Sequence, residues 1–337
     1  MVFVAILIGC IIGAIIGAGF ASGQEIYLFF YRFGTNGLIG IVLCNILMAA
    51  IIYKTLSLTY SYNIETYKEF LENIYSNNIK LSKITNILIN IFLCITFFIM
   101  IAGFGTYLSQ SFKINSIIGS SILAIISYIV FLRNIENFAK INNIIIPILI
   151  IVILIIGIEN IIKLKGIQNN STLDLSSYWI LQAILYASYN LILVEPALIN
   201  LKKFLKSKKQ IILISIAVGI IMSILAILEF FLLKNVDINF KKLEMPLVYV
   251  VEHNFSRLKY IYGIIILIAI FTTAVSVGFG FLNNINTKNK SFPQFAKILC
   301  ISSVLISPIG FANLVNYLFP LFGFIGLMQI YYILAKK

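Results

Sequence analysis

The residues best suited to chemistry lie near the start of the chain, in Gly17-Ala18-Gly19-Phe20-Ala21-Ser22-Gly23-Gln24-Glu25. The sequence is apolar up to Ile16 and again from Ile26, and small residues fill positions 17, 18, 19 and 21. A glycine costs about 1 kcal/mol in a helix interior relative to alanine, so this run predicts a break. Ser22 to Glu25 fits a capping box, in which a serine and a glutamate three residues on satisfy the free amides of a new helix. Freed carbonyls at such a break can bind a cation, and freed amides an anionic group. Small residues also let membrane helices pack closely. Gln24 and Glu25 favour the break, because such groups are costly in hydrocarbon without a role. Glu25 reads either as a cap or as an acid of gating or coupling.

Two later segments could complete a site. Tyr186-Ala187-Ser188-Tyr189-Asn190 is small and polar midway along an apolar run and is followed by Glu195-Pro196. A second break is expected there, with Glu195 placed much as Glu25 is; its competing role is a structural hydrogen bond. Farther on, Ala269 lies one helical turn before Thr272 and Thr273, so its carbonyl and two hydroxyls can share a patch suited to a hard cation. The alternative is that each threonine bonds back to the preceding turn.

The elements that must position these residues are membrane helices. Of 337 residues 61% are hydrophobic and 11% charged, whereas soluble domains are about one quarter charged. Ten spans are expected, near 2–32, 36–58, 84–111, 115–132, 140–158, 177–203, 210–233, 257–285, 294–310 and 312–334. No Lys or Arg precedes the first apolar run, so it reads as a retained helix and not as a signal peptide. The net charge of +13 comes from basic residues between the spans, which reads as a topology signal and not as nucleic-acid binding. The run Lys202, Lys203, Lys206, Lys208 and Lys209 votes for both termini on the cytoplasmic side of the cell membrane. Five spans in each half imply an inverted repeat: 1–158 as the first half, 159–176 as an external linker and 177–337 as the second half. A further outer segment, 234–256, could form a lid. The cysteines (Cys10, Cys44, Cys94, Cys300) have unrelated spacings, and His253 is the sole histidine. A zinc site, a disulfide framework and enzymatic acid–base chemistry are not expected.

Residues 17–26, followed by Phe29-Phe30, resemble the opening of the YkvI-like membrane proteins, a group similar to the amino acid–polyamine–organocation superfamily with its LeuT-type fold. That resemblance implies an all-α membrane protein whose first and sixth helices are unwound around a solute. In sodium-coupled members it implies a Na⁺ held by carbonyls at Gly13 and Ile16 and by Ala269, Thr272 and Thr273. Proton-coupled relatives can use a lysine of the fifth helix; here the only candidate is Lys140, at its inner end.

The expectation is a secondary transporter moving a small, polar, amino-acid-like solute by alternating access, coupled to Na⁺ or to protons. No cofactor is expected beyond a coupling ion, and the partners are the solute and the bilayer. The amides of Gly17, Ala18, Gly19 and Phe20 would hold a carboxylate, with Tyr186, Ser188, Tyr189 and Asn190 opposite. Phe97, Phe104 or Tyr107 would close over it, and Ser22, Gln24, Glu25 and Glu195 would gate or couple. The rival reading is a ligand-sensing receptor of the same fold.

Overall fold

A backbone surrounded by hydrocarbon must satisfy its own polar groups, and a helix does so within one segment. The apolar runs are accordingly helical. The computed structural model describes residues 2–76, 78–133, 138–162, 177–234, 243–285 and 291–336, the side chains of residues 2, 3 and 138–146 excepted. Most of the linker, Asp174, Asp237 and the side chain of Lys140 thus lie outside the described residues.

The first span is three pieces, α1 (Val2–Ile15), α2 (Ala18–Ala21) and α3 (Gln24–Phe29). Next come α4 (Thr35–Ser61), the short α5 (Tyr67–Ile74), α6 (Ile79–Phe112), α7 (Ser116–Leu132) and α8 (Phe138–Ile162). The later chain forms α9 (Trp179–Leu201), α10 (Lys208–Lys234), the short α11 (Pro246–Asn254), α12 (Lys259–Ile285), α13 (Phe292–Ile306) and α14 (Phe311–Ala335). Among the described residues there is no strand. Among the described residues seven helices are long and apolar enough to cross a membrane: α4, α6, Trp179–Phe204, α10, α12, Phe292–Ile309 and α14. Val4–Ile15, Ser116–Leu132 and Pro147–Ile162 are shorter apolar helices. The chain is a multi-pass helical membrane protein.

Local chemistry sets several ends. Thr66 accepts from the Glu69 amide at 3.2 Å to start α5, and Asn78 and Asn115 cap α6 and α7 in the same way, as expected of Thr and Asn at helix starts. α13 gives way to a 3₁₀ turn, Ser307–Ile309, and Gly310 at φ 92° opens α14, so the chain divides at the boundary expected between 294–310 and 312–334. Isoleucines such as Ile46, Ile125 and Ile216 point outward, where lipid is their solvent. The polar Ser22, Gln24, Glu25, Ser188, Asn190, Glu195 and Glu229 are buried inside the bundle.

The packing centres on the broken span. α1 lies against α8, α9 and α10, and α9 is clamped between α4 and α14. α6 packs on α7 and α12, and α12 meets the first span through α2.

One expectation is corrected. α9 is a continuous helix through Tyr186–Asn190. That stretch has no glycine or proline, and Ser188 and Asn190 donate to the helix itself. Ser188 Oγ donates to the Ile184 carbonyl at 2.7 Å, and Asn190 Nδ2 to the Tyr186 carbonyl at 3.0 Å. Such donors find their acceptors without the helix opening. The irregularity in α9 is Pro196, which lacks the N–H that would bond four residues back.

Candidate functional site at the broken first span

The break occurs where the glycines predict it. The Ile16 amide still reaches the Ile12 carbonyl at 2.8 Å, after which Gly17 is extended at φ −100°, ψ −172°. A Cβ on Gly17 would meet nothing within 4 Å. The one-turn α2 follows, and its Ala18, Gly19 and Phe20 are buried.

The cap of α3 differs from the box that the sequence suggests. Gly23 is the cap residue, at φ 77°, a left-handed conformation that glycine adopts without steric cost. Ser22 Oγ donates back to the Gly19 carbonyl at 3.0 Å and lies 3.4 Å from the Gln24 amide. Glu25 does not return to Ser22. Its side chain folds back over Gly19, filling the volume that a Cβ there would need, and the Phe20 backbone N–H donates to it. The freed amide of the break therefore meets a carboxyl supplied by the chain itself. Expecting a solute carboxylate at Gly17–Phe20 overlooked this occupant.

Aromatic rings wall the carboxyl in. Tyr186 and Tyr189 of α9 direct their hydroxyls toward Glu25, yet neither hydroxyl nor Glu25 Oε2 completes a hydrogen bond of ordinary geometry. Phe29 stacks on Tyr189 at 5.5 Å between centroids and meets Tyr186 edge-on at 5.3 Å. Phe319 of α14 closes the other face of Tyr189 at 4.8 Å.

Contacts between helices brace this region at both ends. At one end α11 lies over the break. The Leu247 amide donates to the Ser22 carbonyl at 2.8 Å, and Leu247 Cβ sits 2.7 Å from where a Cβ of Gly23 would be. Beside it Tyr262 of α12 donates to the Ala21 carbonyl, and Gln24 Nε2 reaches Asn316 Oδ1 of α14 at 2.8 Å. The segment read as a lid thus contains a helix in a covering position. At the other end Glu195 Oε2 accepts from Gln329 Nε2 of α14 and from Tyr67 Oη of α5, the latter at 3.3 Å. Burial, and then the charge of Glu195, push the Tyr67 phenol well above its ordinary range, so it keeps its proton and serves as a donor. Glu195 joins three elements, a more extensive role than one structural hydrogen bond.

The remaining site residues are less drawn together. Tyr107 of α6 is buried with its hydroxyl against Gly263 of α12, in the neighbourhood of Tyr262. Of the implied Na⁺ ligands, Gly13 lies within α1 and Ile16 just past it. Thr272 Oγ1 bonds back to the Ile268 and Ala269 carbonyls at 2.9 and 3.1 Å, the alternative weighed for it above. Thr273 is half-buried. Among the described residues no group of three His, Cys, Asp or Glu could hold a metal ion.

Sequence reasoning missed Glu229 of α10, Tyr262, Gln329 and Asn316. Glu229 was legible: it is a lone acid in Ala226-Ile227-Leu228-Glu229-Phe230-Phe231-Leu232, and an acid within a span is a functional candidate by default. The others are visible only from contacts across the bundle.

Similarity to known proteins follows the same outline. The chain is 27% identical over 322 residues to the protein named "Uncharacterized membrane protein YkvI" of Bacillus subtilis (strain 168), covering 95% of this chain and 92% of that one. It is 28% identical over 330 residues to "Uncharacterized protein YyaD" of the same organism, covering 94% of each. No protein-family model matches the chain. The chain is a homologue of these two proteins over nearly its whole length.

Proposed function

We propose that the protein is a secondary transporter that moves a small polar organic solute across the cell membrane by alternating access. The observation that carries this is the discontinuous first span, whose polar turn is buried mid-bundle and closed at both ends by separate contacts. Irregular backbone at membrane depth is tolerated where it is enclosed by protein or lines a cavity, and transporters use it to bind solutes and ions. The α11 cover and the Glu195–Gln329–Tyr67 latch act as the two gates. With ten spans, both termini in the cytoplasm and two inverted halves, α11 is the outer gate and α5 belongs to the inner one. The solute meets the turn between Gly17 and Phe20 and the face of Tyr186 and Tyr189 when Glu25 moves aside. An amino-acid-like solute is the leading class, and its coupling ion is Na⁺ or a proton.

The test is counterflow and gradient-driven uptake in proteoliposomes, with a broad panel of amino acids, amines and organic acids. The expected result is saturable exchange of one solute class, driven by a Na⁺ or a pH gradient. A Na⁺-dependent rise in melting temperature that disappears in Thr272→Ala and Thr273→Ala would assign sodium as the coupling ion. Absence of flux across the whole panel under both gradients would refute transport. Solute binding without counterflow would support the sensor reading.

A further inference from the structure

Glu229 is a buried acid to which the cycle above gives no task. It lies on α10, five residues before Lys234 ends that helix. It is fully enclosed, and neither carboxyl oxygen has a hydrogen-bond partner. The charged group that acts on it is another acid, Glu25. Tyr186 feels both acids and the Cys44 thiol of α4, Tyr189 faces Glu25, and Tyr262 of α12 feels Glu229 and Tyr107. The elements packed on α10 also carry Cys10 (α1), Tyr27 (α3), Tyr31 and Arg32 (the turn after α3), Glu159 (α8) and Glu252 and His253 (α11). Among the described residues no basic side chain forms an ion pair with Glu25 or Glu229.

Two carboxylates sharing an enclosed site cannot both ionise without a compensating charge. Three kinds of group could compensate: a basic side chain, a metal or organic cation, or a proton. Neither acid is paired with a base. Among the described residues no group of three His, Cys, Asp or Glu surrounds the pair as a metal site would require, and the groups turned toward Glu25 are phenols and an amide. A proton needs no such ligand set. The buried, unpartnered hydroxyls of Tyr186 and Tyr189 are an independent sign of an exchangeable partner. Each has a hydrogen to offer Glu25 at the moment it becomes a carboxylate.

We propose that Glu229 and Glu25 form a proton-binding site in which one proton is held between the two carboxyls while both gates are closed. Proton binding converts one carboxylate to a neutral carboxyl and so removes the repulsion between them. Proton loss leaves Glu25 a carboxylate, which the Phe20 amide and the tyrosine hydroxyls favour. A neutral Glu25 gives up that amide more readily to a solute anion, so proton binding and solute entry are linked. This linkage rests on the transporter reading. Proton binding does not, and it is measured without transport.

The experiment is infrared spectroscopy of the purified full-length protein in lipid nanodiscs, titrated with acid and base. The expected result is a protonated-carboxyl C=O band at neutral pH that is lost in Glu229→Gln, is shifted or lost in Glu25→Gln, and persists in Glu195→Gln. Glu229→Asp covers the case in which the glutamine variant fails to fold; its band should remain but at an altered frequency. A Glu229→Gln spectrum that loses carboxylate intensity and no carboxyl intensity at neutral pH would overturn the proposal. So would a band that disappears at fixed pH when K⁺ is replaced by Na⁺, since the pair would then hold a metal cation. A band that behaves as expected in a protein that moves no solute would uphold the proton site and sink the transport reading.

Discussion

Gly19→Ala tests the central geometric claim, that Glu25 occupies the break. A Cβ on Gly19 would lie 2.8 Å from both Cγ and Cδ of Glu25, well inside van der Waals contact. A flexible side chain could ordinarily swing away, but Glu25 is enclosed by Phe20, Tyr186 and Tyr189. Overpacking of this kind costs about 1–3 kcal/mol. Displacing the carboxyl also strips the Phe20 N–H of its partner, and a buried unsatisfied donor costs about 1–3 kcal/mol. The two costs overlap, so a net loss of about 2–4 kcal/mol is expected. Gly17→Ala is the internal control. Its φ of −100° suits alanine and its added methyl meets open space, so it should be neutral or stabilising by up to about 1 kcal/mol. Thermal and denaturant unfolding in one detergent or nanodisc preparation would measure both variants. A third variant separates clash from lost backbone freedom. Combined with Glu25→Ala, Gly19→Ala should lose most of its penalty, giving a coupling of about 1–3 kcal/mol in a double-mutant cycle. Equal stability of the Gly17 and Gly19 variants, or additivity of Gly19→Ala with Glu25→Ala, would refute the placement of the carboxyl.

Two further perturbations address the gates. Gly23→Ala combines a left-handed backbone with a Cβ that would press on Leu247; a strained backbone of this kind costs about 1–2 kcal/mol. Hydrogen exchange in Pro246–Asn254 should rise, and unchanged protection there would argue against α11 being held by the turn. Gln329→Leu removes a donor from the buried Glu195 and should destabilise by about 1–3 kcal/mol. The same change should speed proteolysis of α5, through the lost link to Tyr67; unaltered cleavage would show that the latch does not hold that helix.

How much of this was legible in the sequence depended on whether the cause was local. The position of the break was, because Gly17 and Gly19 act through backbone propensity within one turn. So were the helical fold and the division at Ser307–Gly310, which follow from apolar length and from helix-breaking residues. The expectation for Tyr186–Asn190 failed because small and polar residues were treated like glycine, although serine and asparagine can bond to their own helix. The capping-box reading of Ser22–Glu25 placed a helix start correctly but misassigned Glu25, because a sequence pattern cannot tell which of two nearby amides a carboxylate will reach. The packing of α9 decided it: with Tyr186 and Tyr189 enclosing the carboxyl, Glu25 sits over Gly19 and takes the Phe20 amide. That choice changes what the site can do. An amide free to bind a solute anion would make a standing receptor for a carboxylate, whereas an amide already facing the Glu25 carboxyl must first release it. An arriving anion competes for that amide with Glu25, and the buried acid that feels the charge of Glu25 is Glu229, on a neighbouring helix far away in sequence.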